Sequence, residues 1–349
     1  MTPIRPDLNL LPPDVRAYIE YLEESLTDAA SDAESGRSSA VNNEPSEAPT
    51  TAQVITISRG GLAKRTPRHL YSRQRRGGMG VFDLDSDDDP PAFLLVADVS
   101  HRLIVLTDRN RYFNIAVADL AETPVRGKGE SISRWISLQA DENLAVVIPD
   151  SGANFLHILS DKGWVRKFGR TQLPHLKIGS LVEVRSGHKP VAACWGSGDD
   201  DLFIVSRTGQ AIRFNERQVP ISGGCLGMRL DPEDECLAVA AVREEGGVFL
   251  AGDDGKGTVR QMAGFRTNKS PGAGGKVAMK TERLICAHAV APGQDVLIIS
   301  ALGKIIRFAA DDVPAKEGVV QGVSCMSLRA DSSVAATVTD AGVAVVEEP

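Results

Sequence analysis

Leu202-Phe203-Ile204-Val205-Ser206-Arg207-Thr208-Gly209-Gln210-Ala211-Ile212-Arg213 reads as a β-hairpin. An apolar run ends in a small hydroxyl residue, the chain turns on glycine, and a second strand closes on a cation. Glycine takes φ > 0 at no steric cost, and such a turn between apolar runs is a hairpin signal. The pattern returns as Ser58-Arg59-Gly60-Gly61-Leu62-Ala63-Lys64-Arg65, as Ser160-Asp161-Lys162-Gly163-Trp164-Val165-Arg166-Lys167 and as Ser300-Ala301-Leu302-Gly303-Lys304-Ile305-Ile306-Arg307. Two looser copies are Thr107-Asp108-Arg109-Asn110, where asparagine tolerates the left-handed region, and Gly252-Asp253-Asp254-Gly255, which reaches its cation at Arg260.

The turns fall at 61, 110, 163, 209, 255 and 303, steps of 49, 53, 46, 46 and 48, so that six units fill residues 53–349. The strand before each turn is apolar without alternation, as in Leu103-Ile104-Val105-Leu106 and Val296-Leu297-Ile298-Ile299. Continuous apolar runs signal burial on both faces, as between stacked blades. Periods in the forties with several strands each are blade-like, and radial closure limits exposed sheet edges. The expected fold is an all-β, six-bladed disk, with a solenoid of open hairpins as the alternative.

Composition agrees. Gly is frequent at 33 residues and aromatics are few at 5%, which suits short strands and many turns. The five cysteines form no C-x-x-C pair and the six histidines are scattered, so no zinc site, metal or other cofactor is expected. No apolar run is long enough to span a membrane, and a cytoplasmic protein is the reading. Residues 1–52 hold three basic side chains against ten acidic ones, which accounts for the whole net charge of −7 and leaves the rest neutral. A neutral body can still present a basic face.

Within residues 1–26, positions 13–26 carry Val15, Tyr18, Ile19, Leu22 and Leu26 on one helical stripe, with Pro13 and Asp14 at the start. Residues 27–52 are Ala, Ser, Asp, Glu, Asn, Pro and Thr with almost no large apolar side chain, an acidic linker too poor in apolar surface to order itself. An anionic leader of this kind could fold over a basic rim and compete with a polyanion there. The Asp85–Asp89 and Asp199–Asp201 runs read as solvated loops rather than cation sites.

A second, glycine-rich element follows most hairpins: Gly127-Lys128-Gly129, Gly223-Gly224-Cys225-Leu226-Gly227, Gly272-Ala273-Gly274-Gly275-Lys276 and Gly318-Val319-Val320-Gln321-Gly322. Its first copy, Gln74-Arg75-Arg76-Gly77-Gly78-Met79-Gly80, follows Lys64, Arg65, Arg68 and Arg73, and guanidinium forks beside a glycine turn suit phosphate. This stretch resembles the Q-R-R-G-G-K-G box of the DNA gyrase A C-terminal domain at six of seven positions, and the repeats over residues 53 to 340 resemble that family and the related topoisomerase IV domain.

The resemblance implies a β-pinwheel that binds double-stranded DNA around its rim and wraps it without sequence preference, as a part of, or an accessory to, a type IIA topoisomerase. Gln74, Arg75, Arg76, Gly77, Gly78 and Gly80 would close the first blade and support wrapping. Lys64, Arg65, Arg68, Arg73, Lys128, Arg166, Lys167, Arg213, Arg260, Lys276, Lys304 and Arg307 would line the rim and hold phosphates. Met79 replaces the box lysine, and Asn114 stands in the second unit where others carry a cation. No region resembling the family's DNA-cleaving tyrosine domain surrounds Tyr18, Tyr21, Tyr71 or Tyr112, so the chain is expected not to cut DNA by itself. Two alternatives stand beside wrapping: a protein-interaction disk that has lost it, and a severed part of a split topoisomerase.

Overall fold

The computed structural model describes Pro12, Val15, Arg16, Ile19, residues 47–85 and residues 88–342. Six hairpins form six blades: Ala52–Ser58 with Leu62–Pro67 (blade 1), Arg102–Thr107 with Tyr112–Ala116 (blade 2), Phe155–Ser160 with Trp164–Gly169 (blade 3), Asp201–Ser206 with Gln210–Asn215 (blade 4), Gly247–Gly252 with Lys256–Gln261 (blade 5) and Asp295–Ser300 with Lys304–Ala309 (blade 6). A 3-10 turn follows each hairpin. The chain then runs along the periphery and returns as an inner strand on its own hairpin. The inner strands are Pro91–Asp98, Leu144–Pro149, Pro190–Gly196, Cys236–Val242, Leu284–Val290 and Ser333–Thr339, and neighbours touch all the way round. They are rich in Ala and Val, and these small side chains line an axial cavity of about 770 Å³.

The hydroxyl-to-glycine spacing has a direct cause. Ser58, Thr107, Ser160, Ser206 and Ser300 are buried, and each side-chain oxygen accepts the N–H four residues on, at 2.8–3.2 Å. The turn residues Gly61, Gly163, Gly209, Gly255 and Gly303 have φ of 75–89°, and Asn110 has φ 61°. In blade 5, where Gly252 replaces the hydroxyl, Asp254 Oδ1 accepts the Lys256 N–H at 3.1 Å instead. Asp89, from one of the acidic runs, binds the first turn through Gly60 N–H at 2.7 Å.

The unbroken apolar runs feed two cores at once. Phe203 and Val205 of blade 4 pack with Val248 and Leu250 of blade 5, whereas Leu202 and Ile204 pack with Leu159 and Val165 of blade 3. A strand between two neighbouring blades has no solvent face, so alternation is absent.

Each peripheral segment reaches back to the preceding blade, in every case but blade 2 as a two-residue outer strand. Glu130–Ser131 lies on blade 1, Cys225–Leu226 on blade 3, Lys276–Val277 on blade 4, Ala315–Lys316 and Val323–Ser324 on blade 5. Blade 2 keeps three strands, with a single bridge from Arg111 to Leu181. Val81–Phe82 pairs with Ile305 and Lys304 of blade 6 and closes the ring. The glycine-rich element exists for this step: Gly129 lies so close to blade 1 that a Cβ would stand 2.8 Å from Ala63 O, and one on Gly322 would stand 2.6 Å from Gly257 O.

The domain begins before the expected boundary at 53. Glu47 is 2% exposed, and its Oε1 accepts from Arg68 Nε at 3.1 Å and Nη2 at 3.0 Å. A carboxylate placed against buried guanidinium groups is a folded contact, and the linker reading fails there. In the leader, Val15, Arg16 and Ile19 are helical and Arg16 N–H donates to Pro12 O at 2.9 Å; the other positions of the expected 13–26 helix, and the linker up to 46, lie outside the described residues.

Candidate nucleic-acid interface

The hairpin cations point inward, and most of the expected rim is corrected on this ground. Lys64, Arg68, Lys167, Arg213, Arg260, Lys304 and Arg307 are all buried, so no phosphate reaches them in the folded disk. Lys167, Arg213 and Arg307 among them tie one blade to the next. The cation four residues after the turn donates to the 3-10 turn of the next blade: Arg65 Nε to Leu120 O at 3.0 Å, Lys167 Nζ to Glu216 O at 3.0 Å, Arg213 Nη1 to Met262 O at 2.8 Å and Phe265 O at 3.1 Å, and Arg307 Nη1 to Arg68 O at 3.3 Å and Tyr71 O at 3.2 Å. Met262 O, Glu216 O and Arg68 O already accept the N–H that closes their own 3-10 turn, and the charged donor adds a second, stronger bond from the neighbouring blade. Asp201 binds Arg213 and Asp295 binds Arg307, each at 2.8 Å, which compensates the buried charge. Asp201 is therefore part of a latch rather than of a solvated loop.

Lys64 belongs to a separate buried cluster at the closing seam. Its Nζ lies 2.7 Å from Asp83 Oδ1 and donates to Val125 O at 2.6 Å, while Thr56 and Tyr71 hydroxyls donate to the same Asp83 carboxylate. Burial lowers the Lys64 pKa against the opposing pull of Asp83, and burial together with Asp83 pushes Tyr71 well above its ordinary value. Lys304 Nζ sits 5.4 Å from the Phe82 ring centroid. Arg260 turns onto its own blade, with Nη2 3.5 Å from Gly264 O, and burial lowers its pKa.

The box closes the ring rather than the first blade. Gln74 N–H donates to Arg307 O of blade 6 at 2.7 Å, Gly77 N–H to Cys325 O at 2.9 Å, and Ser327 N–H to Gly78 O at 2.9 Å. Gly80 has φ 75°, and a Cβ there would collide with Ile305 O. Arg76 is half-buried and donates to Asp312 O at 3.0 Å and to Ser324 O. Blade 5 has Val259 at the latch position, and Arg76 reaches the blade 6 turn from the other side. Gln74 is likewise half-buried, as is Arg166, whose Nη1 donates to Glu183 O.

Four of the expected rim cations are exposed: Arg73, Arg75, Lys128 and Lys276. Arg73 also contacts Asp295 Oδ1 at 2.8 Å. Beside them stand exposed cations that hairpin-based reasoning passed over, namely Arg126, Lys177, Arg266, Lys269 and Lys316. All lie in peripheral segments, and their signal in the sequence was the glycine-rich element rather than the turn. The distribution is uneven. Residues 71–82, on blade 6, carry Arg73, Arg75 and Arg76 with no carboxylate; residues 265–277, on blade 4, carry Arg266, Lys269 and Lys276 with none. Between them, the segment on blade 5 carries one exposed cation, Lys316, beside Glu317 and after Asp311 and Asp312. The segment on blade 1 holds Arg126 and Lys128 together with the carboxylates Glu122 and Glu130, which pair with Arg65 and Arg134, and the segment 219–226 on blade 3 has no cation.

A family model described as "DNA gyrase C-terminal domain, beta-propeller" matches residues 52–89, 200–243 and 294–339. The DNA gyrase A protein of Mycobacterium bovis is 30% identical over 293 residues, covering 79% of this chain, and that of Escherichia coli K12 is 26% identical over 296 residues, covering 80%. The chain spans 35% and 34% of the length of these relatives. A solved DNA gyrase A C-terminal domain superposes with a TM-score of 0.73 at 21% identity, covering 82% of this chain and 99% of that one. The C-terminal domain of DNA topoisomerase IV gives 0.59 at 18% identity, covering 83% and 93%. With the repeats, the exchanged outer strands and the ring-closing box in agreement, this β-pinwheel belongs to the DNA gyrase A C-terminal domain family.

Proposed function

We propose that the arc of rim over blades 4, 5 and 6 binds double-stranded DNA through its phosphates and bends it around the disk, in the service of a type IIA topoisomerase reaction whose cutting step is carried out elsewhere. The observation that carries this reading is the pair of carboxylate-free peripheral segments, 71–82 and 265–277, flanking Lys316 on consecutive blade edges. Cations spread along a convex edge neutralise successive phosphates without reading bases, which gives sequence-independent, salt-sensitive binding. Curving the duplex costs energy, so preference follows DNA deformability more than base identity.

A nicked circular plasmid sealed by ligase in the presence of the protein tests the bend. Wrapping leaves a shift in linking number that grows with protein added. Binding without any shift would leave a straight DNA-binding edge and defeat the wrapping step. Burial of the repeated cations favours the second reading, a protein-interaction disk, and complete lack of DNA binding at low salt would select it.

A further inference from the structure

Three of the most exposed large apolar side chains among the described residues stand on one arc of the rim: Ile178 (68% exposed), Leu181 (66%) and Ile221 (57%). They belong to the peripheral segments on blades 2 and 3, outside the carboxylate-free stretches. The arc is continuous. Arg166 donates to Glu183 O, two residues from Leu181; the Arg185 guanidinium lies 4.0 Å from the Trp164 ring centroid; and Trp164 Nε1 donates to Gly223 O at 3.1 Å, two residues from Ile221. Exposed Lys177 and Arg185 flank the apolar groups, with one exposed carboxylate, Glu183, between Leu181 and Arg185. Clustered apolar groups on a rim mark a contact surface, and the flanking cations call for an acidic partner.

We infer that this arc is the docking site of the chain's own leader, residues 13–28. That segment pairs an apolar stripe (Val15, Tyr18, Ile19, Leu22, Leu26) with Asp14, Glu20, Glu23, Glu24 and Asp28, the charge and apolar complement of the arc. Its helical start is described, and Val15 there is 39% exposed, so the stripe has surface left to cover. Reach is sufficient. Glu47 is locked at the seam of blades 1 and 6, and residues 29–46 span up to about 60 Å when extended. A disk of this size is about 50 Å across. The inference does not rest on DNA binding, because the arc excludes the basic segments on blades 4 and 6.

The test is hydrogen exchange on the full chain, read in peptides from residues 13–28 and 176–185. Ile178→Asp with Leu181→Asp alters exposed side chains only, so the blades stay folded, which unchanged exchange in the hairpin strands verifies. The leader amides should exchange roughly tenfold faster in this variant than in the parent, since about 1.4 kcal/mol of docking corresponds to that factor. In a second variant, Glu23→Lys with Glu24→Lys, the 176–185 amides should speed up. Equal exchange in parent and variants overturns the inference. Leader protection that rises with protein concentration also overturns it, because a second copy would then be the occupant.

Discussion

Arg213 Nη1 on blade 4 donates to the carbonyl oxygen of Met262 on blade 5 at 2.8 Å. The same guanidinium reaches Phe265 O, Asp201 and Glu244, so one side chain joins a hairpin to its neighbour's 3-10 turn. Removing it leaves half-buried Asp201 without its cation and Phe265 O without its donor. Arg213→Met is expected to lower unfolding stability by about 3–5 kcal/mol, the cost of breaking a buried pair from one side. Urea denaturation measures this. In the fraction that remains folded, the salt dependence of DNA binding should match the parent, because Arg213 does not face solvent.

Ring closure depends on a backbone approach at Gly80. Its φ of 75° already excludes most side chains, and a Cβ would also press on Ile305 O. Gly80→Ala is expected to cost about 1–3 kcal/mol from the dihedral alone. The effect should be local first. Hydrogen exchange should rise in residues 304–309 and 81–82 while the hairpin of blade 3 keeps its protection.

The latch also has a gap. Asn114 takes its place in blade 2 and turns back to Tyr112 and Arg102 rather than across to blade 3. The blade 2–3 junction should therefore open before those closed by Arg213 and Arg307. Native-state hydrogen exchange in low denaturant, compared between residues 112–116 and 210–215, reads that order.

Asp98 gives the domain an acid-sensitive contact. Hydrogen bonds from the Ser100 hydroxyl, the Thr51 hydroxyl and the Ser100 N–H lower its pKa to about 2. The folded value lies below the unfolded one, so the stability it adds is present above about pH 4 and is lost as pH falls toward 2. Asp98→Asn should be less stable than the parent at pH 7, and the gap should close near pH 2 in parallel melts.

Much of the architecture is legible in the sequence because each turn carries its chemistry locally: Ser206 and Gly209 specify a hairpin whatever surrounds them. The direction of the cations is not. A strand buried on both faces shows no alternation to say which side a cation takes, and the acceptors of Arg213 and Arg307 come from another unit of the chain. Glu47 falls outside the expected domain boundary for a related reason, since its partners Arg68 and Arg307 lie far away in sequence. The glycine-rich elements are visible as turns, but the exposed cations beside them, such as Lys269 and Lys316, gain meaning only once the outer strands are seen to lie on the preceding blade.

The most direct measurement is binding to linear duplex DNA across a salt series for the parent, for Arg75→Ala with Lys269→Ala and Lys276→Ala, and for Arg126→Ala with Lys128→Ala. Each lost phosphate contact lowers the slope of log affinity against log salt by about 0.9. The triple variant on blades 4 and 6 should lose roughly two to three units of slope, and the blade 1 pair much less. A triple variant whose slope and affinity equal the parent's would contradict a DNA path over blades 4 to 6.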